Sequence, residues 1–128
     1  MKTIERKQYL EKILPFINTP FLKVLTGMRR AGKTTILQMI KNDILKDTPE
    51  DNKLYLNFEE FKNMDIKNYE DLYYIVKPFL EKQKGTKYFF FDEIQAVEGW
   101  QKLINGLRLD KDCDIYVAGS NKTLLSGE

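Results

Sequence analysis

Histidine is absent from the 128-residue sequence, and Cys113 is its single cysteine. Without histidine, and with one thiol, the chain cannot assemble the common zinc ligand sets or an internal disulfide. Cys113 lies between Asp112 and Asp114, which disfavour a thiolate, so we interpret it as a structural residue. These absences exclude disulfide-stapled domains and the usual zinc enzymes.

Long apolar runs are missing as well. Residues 1–14 mix charged and apolar side chains, unlike the uninterrupted apolar segment of a signal peptide or a membrane span. The sequence therefore predicts a reducing, cytoplasmic location and no membrane partner.

No block of one charge sign occurs. The 21 basic and 19 acidic residues are scattered along the chain, and the net charge is +2. The chain thus lacks the electrostatic footprint of a nucleic-acid-binding protein, and any protein or nucleic-acid partner stays unknown. With 42% hydrophobic and 31% charged residues, the composition is that of one soluble globular domain.

The most informative stretch is residues 27–34, Gly-Met-Arg-Arg-Ala-Gly-Lys-Thr, which fits the phosphate-binding pattern G-x-x-x-x-G-K-[ST]. Inward-pointing backbone N–H groups in such a turn make a cavity for an anion, and the glycines let the main chain approach phosphate oxygens closely. An apolar, strand-like run at 21–25 precedes this loop, and apolar residues at helical spacing over 34–46 follow it. This order predicts a strand, a phosphate-binding loop and a helix.

Nucleotide contacts are expected from that loop. We expect Lys33 to reach the β- and γ-phosphates of ATP and the Thr34 hydroxyl to help hold Mg²⁺, with the helix N-terminus facing the phosphates. The predicted cofactor-binding residues of the loop are Gly27, Arg29, Arg30, Ala31, Gly32, Lys33, Thr34 and Thr35. On this pattern alone, a glycine-rich turn with a coincidental Lys-Thr pair remains the alternative.

Residues 87–93, Lys-Tyr-Phe-Phe-Phe-Asp-Glu, form the second informative stretch. The aromatic run predicts a strand buried on both faces, as in a parallel sheet covered by helices. Two carboxylates at its C-terminal tip suit a nucleotide hydrolase: Asp92 would be a metal ligand in the Mg²⁺ shell, and Glu93 would polarise the attacking water as the catalytic base. An ordinary acidic turn is the alternative, but it does not explain why the apolar run stops in two charges.

The flanking segments add a helix and a strand. An amphipathic helix is predicted over residues 1–14, with a base contact through Phe16 as the alternative role of this region. A second strand over 53–58 ends in Glu59 and Glu60. We interpret these two glutamates as a solvated acidic pair in preference to nucleotide ligands.

The second half of the chain continues the alternation of helices and strands. A helix capped by Asn68 and a helix over 97–109 precede a fourth strand over 114–118. Asn121, just beyond that strand, is the predicted catalytic residue for holding the lytic water or the γ-phosphate, and Ser120 is the alternative and a predicted cofactor-binding residue. The pattern β-α-β-α-β-α-β implies right-handed crossovers and a parallel sheet, and hence the α/β class.

Three motifs in this order resemble a known family: Gly-x-Arg-Arg-x-Gly-Lys-Thr-Thr at 27–35, Asp-Glu-Ile-Gln at 92–95 followed by Gly99-Trp100, and Gly-Ser-Asn at 119–121 before Leu-Leu-Ser at 124–126. They are similar to the AAA-type P-loop ATPases of bacteria and archaea whose ATPase core is usually followed by a C-terminal domain of unknown function. The resemblance covers nearly the whole chain. It implies a three-layer RecA-like P-loop NTPase core with a parallel sheet of strand order 5-1-4-3-2.

The resemblance also implies residue roles. It matches Lys33 and Thr34 to the Walker A pair, and Asp92 and Glu93 to the Walker B pair. Asn121 or Ser120 matches the sensor position, and Arg29 and Arg30 match the family's paired arginines. It assigns no role to the paired arginines, and it leaves the identity of an arginine finger open.

The family's core continues into a fifth strand, a lid and an arginine finger, whereas the sequence ends at Glu128. We therefore predict the N-terminal part of an AAA-type ATPase domain, a fragment truncated before the fifth strand, with an N-terminal helix over 1–18 and the P-loop core over 21–128. Without that strand, the first strand becomes an edge whose unpaired N–H and C=O groups should seek a partner. The expected result is self-association of the fragment or a larger ATPase oligomer.

Mg²⁺-dependent ATP binding and hydrolysis, coupled to an unknown conformational or partner-remodelling task, is the leading function. A nucleotide-binding switch with little intrinsic hydrolysis is the alternative, and weak or absent nucleotide binding by a strained fragment is a third hypothesis. A guanine-specific switch is disfavoured, because Asn-Lys-Thr-Leu at 121–124 has leucine where guanine recognition needs a carboxylate. A small-molecule kinase stays open, although the acidic pair favours water as the acceptor.

Overall fold

The computed structural model describes residues 3–19, 21–26, 30–110 and 112–119. Helices and strands alternate along this part of the chain, as the sequence predicts. In chain order they are α1 (Thr3–Ile13), β1 (Lys23–Leu25), α2 (Arg30–Met39), β2 (Lys53–Asn57), α3 (Tyr69–Lys82), β3 (Lys87–Asp92), α4 (Trp100–Arg108) and β4 (Cys113–Ala118).

The described strands form one parallel sheet of four strands in the order β1-β4-β3-β2. The predicted α/β class and parallel sheet are confirmed, and the order agrees with the last four places of the RecA-like arrangement. All six residues of β3 and all six of β4 are buried, as expected for central strands covered on both faces. Because the strands are parallel, their carboxyl ends meet at one edge of the sheet.

Two apolar cores, one on each face of the sheet, give the domain three layers. Alternate side chains of β3 supply both cores, since Phe89 and Phe91 point to one face and Phe90 to the other. The Phe90 ring stacks on Tyr116 of β4 with centroids 5.0 Å apart, on the face that α1 and α2 cover. The Phe89 ring meets Phe79 of α3 edge to face at 5.4 Å, on the face that α3 and α4 cover.

The amino ends of the strands are held by a buried polar network. The Lys23 ammonium pairs with Asp114, whose Oδ2 accepts hydrogen bonds from the Tyr116 hydroxyl at 2.6 Å and from the Asn18 N–H at 2.9 Å. Burial lowers the pKa of Lys23, and the neighbouring Asp114 opposes that change. The network anchors the connection between α1 and β1 at the end of the sheet away from the carboxyl edge.

Several element boundaries differ from the sequence prediction. The first strand begins at Lys23, the first residue that pairs with β4, and Phe21 remains outside it with 62% of its surface exposed. The helix after the loop does not run evenly to residue 46, because α2 passes into a π-helical turn at Ile40–Ile44. The fourth helix begins at Trp100 and not at residue 97, because Gly99 adopts a left-handed conformation with φ of +72°.

The first helix is also shorter than predicted. It ends at Ile13 and is followed by a 3₁₀ turn at Leu14–Phe16 that contains Pro15, whose ring cannot continue an α-helix. Ile13 is buried against α2, as the amphipathic pattern requires, whereas Leu14 is exposed.

Candidate active site

The first turns of α2 and the tip of β3 meet at the carboxyl edge of the sheet. The Thr34 hydroxyl of α2 donates a hydrogen bond of 2.5 Å to Asp92 Oδ2 at the end of β3. The two residues are 58 positions apart in sequence, and the parallel crossover brings them together. The two stretches that the sequence singles out are therefore joined by a direct contact.

Asp92 is fully buried, and a second donor reaches the same oxygen. The Tyr55 hydroxyl of β2 donates to Oδ2 at 3.1 Å, whereas Oδ1 has no hydrogen-bond partner among the described residues. Burial raises the pKa of Asp92, and the hydrogen bonds from Thr34 and Tyr55 oppose that rise. A buried carboxylate oxygen without a partner is costly unless a positively charged ligand satisfies it.

The donor set at this point fits a hard divalent cation. Thr34 and Asp92 offer a hydroxyl oxygen and a carboxylate oxygen, which are the ligands that Mg²⁺ prefers. Over the described ranges no group of three or more histidine, cysteine, aspartate or glutamate side chains could hold a metal. A cation here would need water or phosphate oxygens to complete its shell, which is the usual arrangement for Mg²⁺ at nucleotide sites.

Glu93 follows Asp92 directly, and its backbone is left-handed with φ of +56° and ψ of +47°. A non-glycine residue pays roughly 1–2 kcal/mol for that conformation. The Glu93 side chain is buried, and its Oε1 accepts a hydrogen bond of 2.8 Å from the Gln95 side-chain amide. The charge of Glu93 adds to burial in raising the pKa of Asp92, so the two carboxylates are close neighbours at the sheet edge.

Lys33 is 4% exposed, and its ammonium donates a hydrogen bond to the Gly119 carbonyl, just beyond β4. The Gly119 N–H in turn donates to the Leu25 carbonyl of β1. The predicted phosphate-binding lysine therefore lies at the carboxyl edge, between the ends of β1 and β4.

The predicted site residues fall into three groups. Thr34 and Asp92 are in contact, and Lys33 and Glu93 lie at the same sheet edge. Arg30, Ala31, Gly32 and Thr35 belong to the first turns of α2, where Gly32 is buried and Thr35 is half-buried. The residues that lie outside the described part of the chain are Gly27, Arg29, Ser120 and Asn121.

Glu59 and Glu60 are both exposed beyond the end of β2, which agrees with their interpretation as a solvated acidic pair. The Glu60 carboxylate lies 3.8 Å from the Lys62 ammonium at the surface. Ion pairs of this exposure contribute little to stability.

Two residues of the site were missed by the sequence interpretation. The Asp-Glu-Ile-Gln motif gives Gln95 no role, yet its amide holds the Glu93 carboxylate. The strand predicted over 53–58 gives Tyr55 no role in the site, yet its hydroxyl holds Asp92. Burial, with the charge of Asp92 second, raises the pKa of Tyr55, so the phenol remains a hydrogen-bond donor.

The larger cavities lie away from this chemistry. A cavity of about 620 Å³ lies between α3 and α4, and one of about 490 Å³ lies beside β1. A smaller one of about 280 Å³ is lined by α2 residues that include Thr34, Thr35 and Gln38.

A sequence profile described as an AAA domain matches residues 19–128. The chain belongs to the AAA domain family. The resemblance to AAA-type ATPases is thereby confirmed, and the domain is an ATPase-like, nucleotide-binding domain of the P-loop kind. Among the described residues, no helix has the length and apolar character needed to cross a membrane.

Two relatives from a bacterium and an archaeon carry the same sequence region. An uncharacterized protein of Haemophilus influenzae is 40% identical over 126 residues, which cover 98% of this chain and 32% of that protein. An uncharacterized protein of Methanocaldococcus jannaschii is 39% identical over 107 residues, which cover 84% of this chain and 23% of that protein. The chain therefore spans about a third or less of the length of the relatives that it matches.

Proposed function

We propose that this domain binds ATP with Mg²⁺ and hydrolyses it, and that hydrolysis drives a conformational or partner-remodelling task of the longer protein. The observation that carries the proposal is the Thr34–Asp92 contact of 2.5 Å, with Asp92 Oδ1 buried and left without a partner among the described residues. A hydroxyl and a carboxylate oxygen at one point suit a magnesium-bound polyphosphate.

In this proposal the first turn of α2 binds the phosphates. The backbone N–H groups at Gly32 and Lys33 would donate to the phosphate oxygens, and the helix N-terminus would add favourable partial positive charge. Lys33 exchanges the Gly119 carbonyl for the β- and γ-phosphates. Thr34 and Asp92 would hold Mg²⁺, which when bound neutralises part of the phosphate charge.

Glu93 is proposed as the catalytic base. Its carboxylate accepts a proton from the attacking water as the new oxygen–phosphorus bond forms, and the bond between the γ-phosphorus and the bridging oxygen breaks to release ADP. Gln95 orients Glu93 through the 2.8 Å hydrogen bond to Oε1. Asn121, or Ser120 in its place, would hold the water or the γ-phosphate.

The test of the base assignment is Glu93→Gln, which keeps the size of the side chain and removes its charge. We expect Mg-ATP binding to stay nearly intact and turnover to fall by about 10²–10⁴-fold. Binding is measured by calorimetry and turnover by phosphate release. Glu81→Gln, an exposed change in α3, is the matched control and should leave both quantities unchanged.

The same experiment separates the alternative function. If the wild type binds Mg-ATP but turns it over no faster than Glu93→Gln, the domain is a nucleotide-operated binding module with little intrinsic hydrolysis. If Glu93→Gln hydrolyses ATP at the wild-type rate while that rate is well above background, the base assignment is wrong.

We also propose that the outer edge of β1 pairs with a second copy of the chain. Among the described strands, only β4 pairs with β1, and Leu25 directs its carbonyl to β4 through the bond from Gly119. Since successive residues of a strand direct their main-chain groups to alternate edges, Val24 presents its N–H and C=O outward. The Val24 side chain is 43% exposed beside the exposed Phe16 and Phe21 rings.

A dimer with its two-fold axis at Val24 would give hydrogen-bond partners to the outward N–H and C=O groups of this edge. Two β1 strands meeting antiparallel would exchange both N–H···O bonds between the two Val24 residues, and each copy would cover the apolar rings of the other. The strand has three residues, so the association should be weak. The same edge in a longer chain could be filled by another strand, and then the dimer would not form.

A further inference from the structure

A line of polar side chains leads from the surface of α2 to Asp92. The Asn42 amide donates a hydrogen bond of 3.1 Å to Gln38 Oε1, and the Gln38 side chain lies near the Tyr55 hydroxyl, where it opposes the rise in the Tyr55 pKa that burial causes. Tyr55 then donates to Asp92 Oδ2 at 3.1 Å. This polar line, Asn42-Gln38-Tyr55, runs alongside the predicted nucleotide site but contains none of its predicted residues.

The hydrogen bonds at the two ends of the polar line have a defined direction. Because Gln38 Oε1 accepts from Asn42, the amide nitrogen of Gln38 is the group left to face the phenol oxygen. The phenol proton is then directed to Asp92, which as a carboxylate can only accept. The line therefore ends with a donor aimed at one chosen oxygen of the carboxylate.

The two oxygens of Asp92 differ in their hydrogen bonding. Tyr55 and Thr34 both donate to Oδ2, and Oδ1 is the atom that remains buried without a partner in the described part of the chain. Tyr55 lies on β2 in register with Phe90, so its ring is supported by the sheet and by the core beneath α2. A donor on a rigid strand holds the carboxylate orientation better than one on a loop.

We propose that Tyr55 is a positioning residue for the cation site, which holds the Asp92 carboxylate so that Oδ1 is the oxygen available to a cation. This inference rests on the proposed function, since it concerns the same cation. Tyr55 touches neither nucleotide nor water in this role; it acts through Asp92. Gln38 supports Tyr55 in turn.

The variant Tyr55→Phe removes the hydroxyl and keeps the ring that packs in the core. Mn²⁺ serves as the probe for the metal, because free Mn²⁺ is measured directly by electron paramagnetic resonance in the presence of ADP. We expect Tyr55→Phe to weaken Mn²⁺ binding to the ADP complex by about tenfold, while ADP affinity in EDTA stays within about twofold of the wild type.

The matched control is Tyr88→Phe. Tyr88 is also a tyrosine of the sheet, and its hydroxyl donates to Asn18 Oδ1 at 3.0 Å in the network at the opposite end of the strands. It therefore controls for the loss of one partly buried phenol hydrogen bond. We expect Tyr88→Phe to leave Mn²⁺ affinity and ADP affinity at wild-type values.

Gln38→Met is a second variant, at a half-buried residue of α2. It should weaken Mn²⁺ binding by about threefold in the wild-type background and have no further effect in Tyr55→Phe, because both act through one hydrogen bond to Asp92. Additive losses in the double variant would contradict the polar line. If Tyr55→Phe does not fold, unchanged Mn²⁺ affinity in Gln38→Met overturns the inference.

Different results would overturn the role of Tyr55 and the proposed function. Wild-type Mn²⁺ affinity in Tyr55→Phe, or an equal loss of ADP affinity in EDTA, overturns the role of Tyr55 alone. A wild-type protein whose ADP affinity does not respond to Mn²⁺ overturns the proposed function, and the positioning role with it.

Discussion

Asp92 and Glu93 are adjacent carboxylates, yet the fold gives them different backbone conformations and different hydrogen-bond donors. Asp92 completes the extended strand β3 and is held by two hydroxyl donors, whereas Glu93 turns into the left-handed region and is held by an amide. In the proposed function, this arrangement gives neighbouring positions to a metal ligand and a base, each with its own hydrogen-bond partners. The sequence places both carboxylates but does not show this turn, because glycine is the residue expected at positive φ.

Lys33 gives the residue-scale prediction. Charge-assisted contacts to phosphate are worth roughly 1.5–3 kcal/mol each, so Lys33→Ala should weaken ATP binding by about ten- to a hundredfold. Calorimetric titration with Mg-ATP measures the change. Lys62→Ala, an exposed lysine whose neighbour is Glu60, is the control for loss of one positive charge. ATP affinity in Lys33→Ala equal to that of the control would contradict the phosphate-binding role.

The connection between β3 and α4 is the element that carries Glu93, and it is tied to α3 at its far end. The Tyr69 N–H donates to the Glu98 carbonyl at 2.8 Å, and the Glu98 N–H donates to the Lys67 carbonyl at 2.9 Å. Gly99 then takes φ of +72° against the Tyr69 ring, which leaves no room for a side chain. This close approach explains the glycine of the Gly-Trp pair noted in the sequence.

Gly99→Ala should therefore destabilise the domain. A Cβ at this position would lie 2.7 Å from Tyr69 Cδ1, in a backbone conformation that alanine disfavours, and we expect a loss of about 1–3 kcal/mol in the free energy of unfolding. Gly106→Ala is the control, because nothing lies within 4 Å of a Cβ there and the residue is inside α4. It should stabilise the domain by roughly 0.5–1 kcal/mol. Urea unfolding measures both, and equal effects of one sign would contradict the packing account.

The edge of β1 gives a second prediction for an element. Val24→Lys places a charge at the outer edge of β1. Because charged side chains on edge strands disfavour pairing with another strand, this change should weaken self-association by about tenfold. Sedimentation equilibrium over a range of concentrations measures it. Tyr74→Lys removes another exposed apolar side chain, on α3, and should leave association unchanged. A wild type that stays monomeric at high concentration would contradict the proposed pairing.

At the scale of the whole molecule, the sheet and its layers could be predicted from sequence, because the apolar strands and helical faces leave few ways to bury them. Phe89, Phe90 and Phe91 required a central strand, and that strand is buried throughout. The contact of Thr34 with Asp92 followed from the parallel order. The hydrogen bond from Tyr55 to Asp92 could not be predicted, since it depends on the register of β2 against β3, which no local pattern encodes.

The ends of the helices also could not be predicted from the sequence. The π-helical turn after α2 and the late start of α4 depend on tertiary contacts and on single backbone conformations, at Gly99 above all. Apolar periodicity is unchanged by such features, so it located the helices without locating their ends.

The central claim is that the first turn of α2 and the tip of β3 hold one magnesium-bound polyphosphate together. Calorimetric titration of the wild-type chain with ADP and with ATP, each in Mg²⁺ and in EDTA, tests it most directly. The account predicts saturable binding of both nucleotides that is tighter in Mg²⁺ than in EDTA. Affinities that are the same in Mg²⁺ and EDTA, or no binding at all, would contradict it.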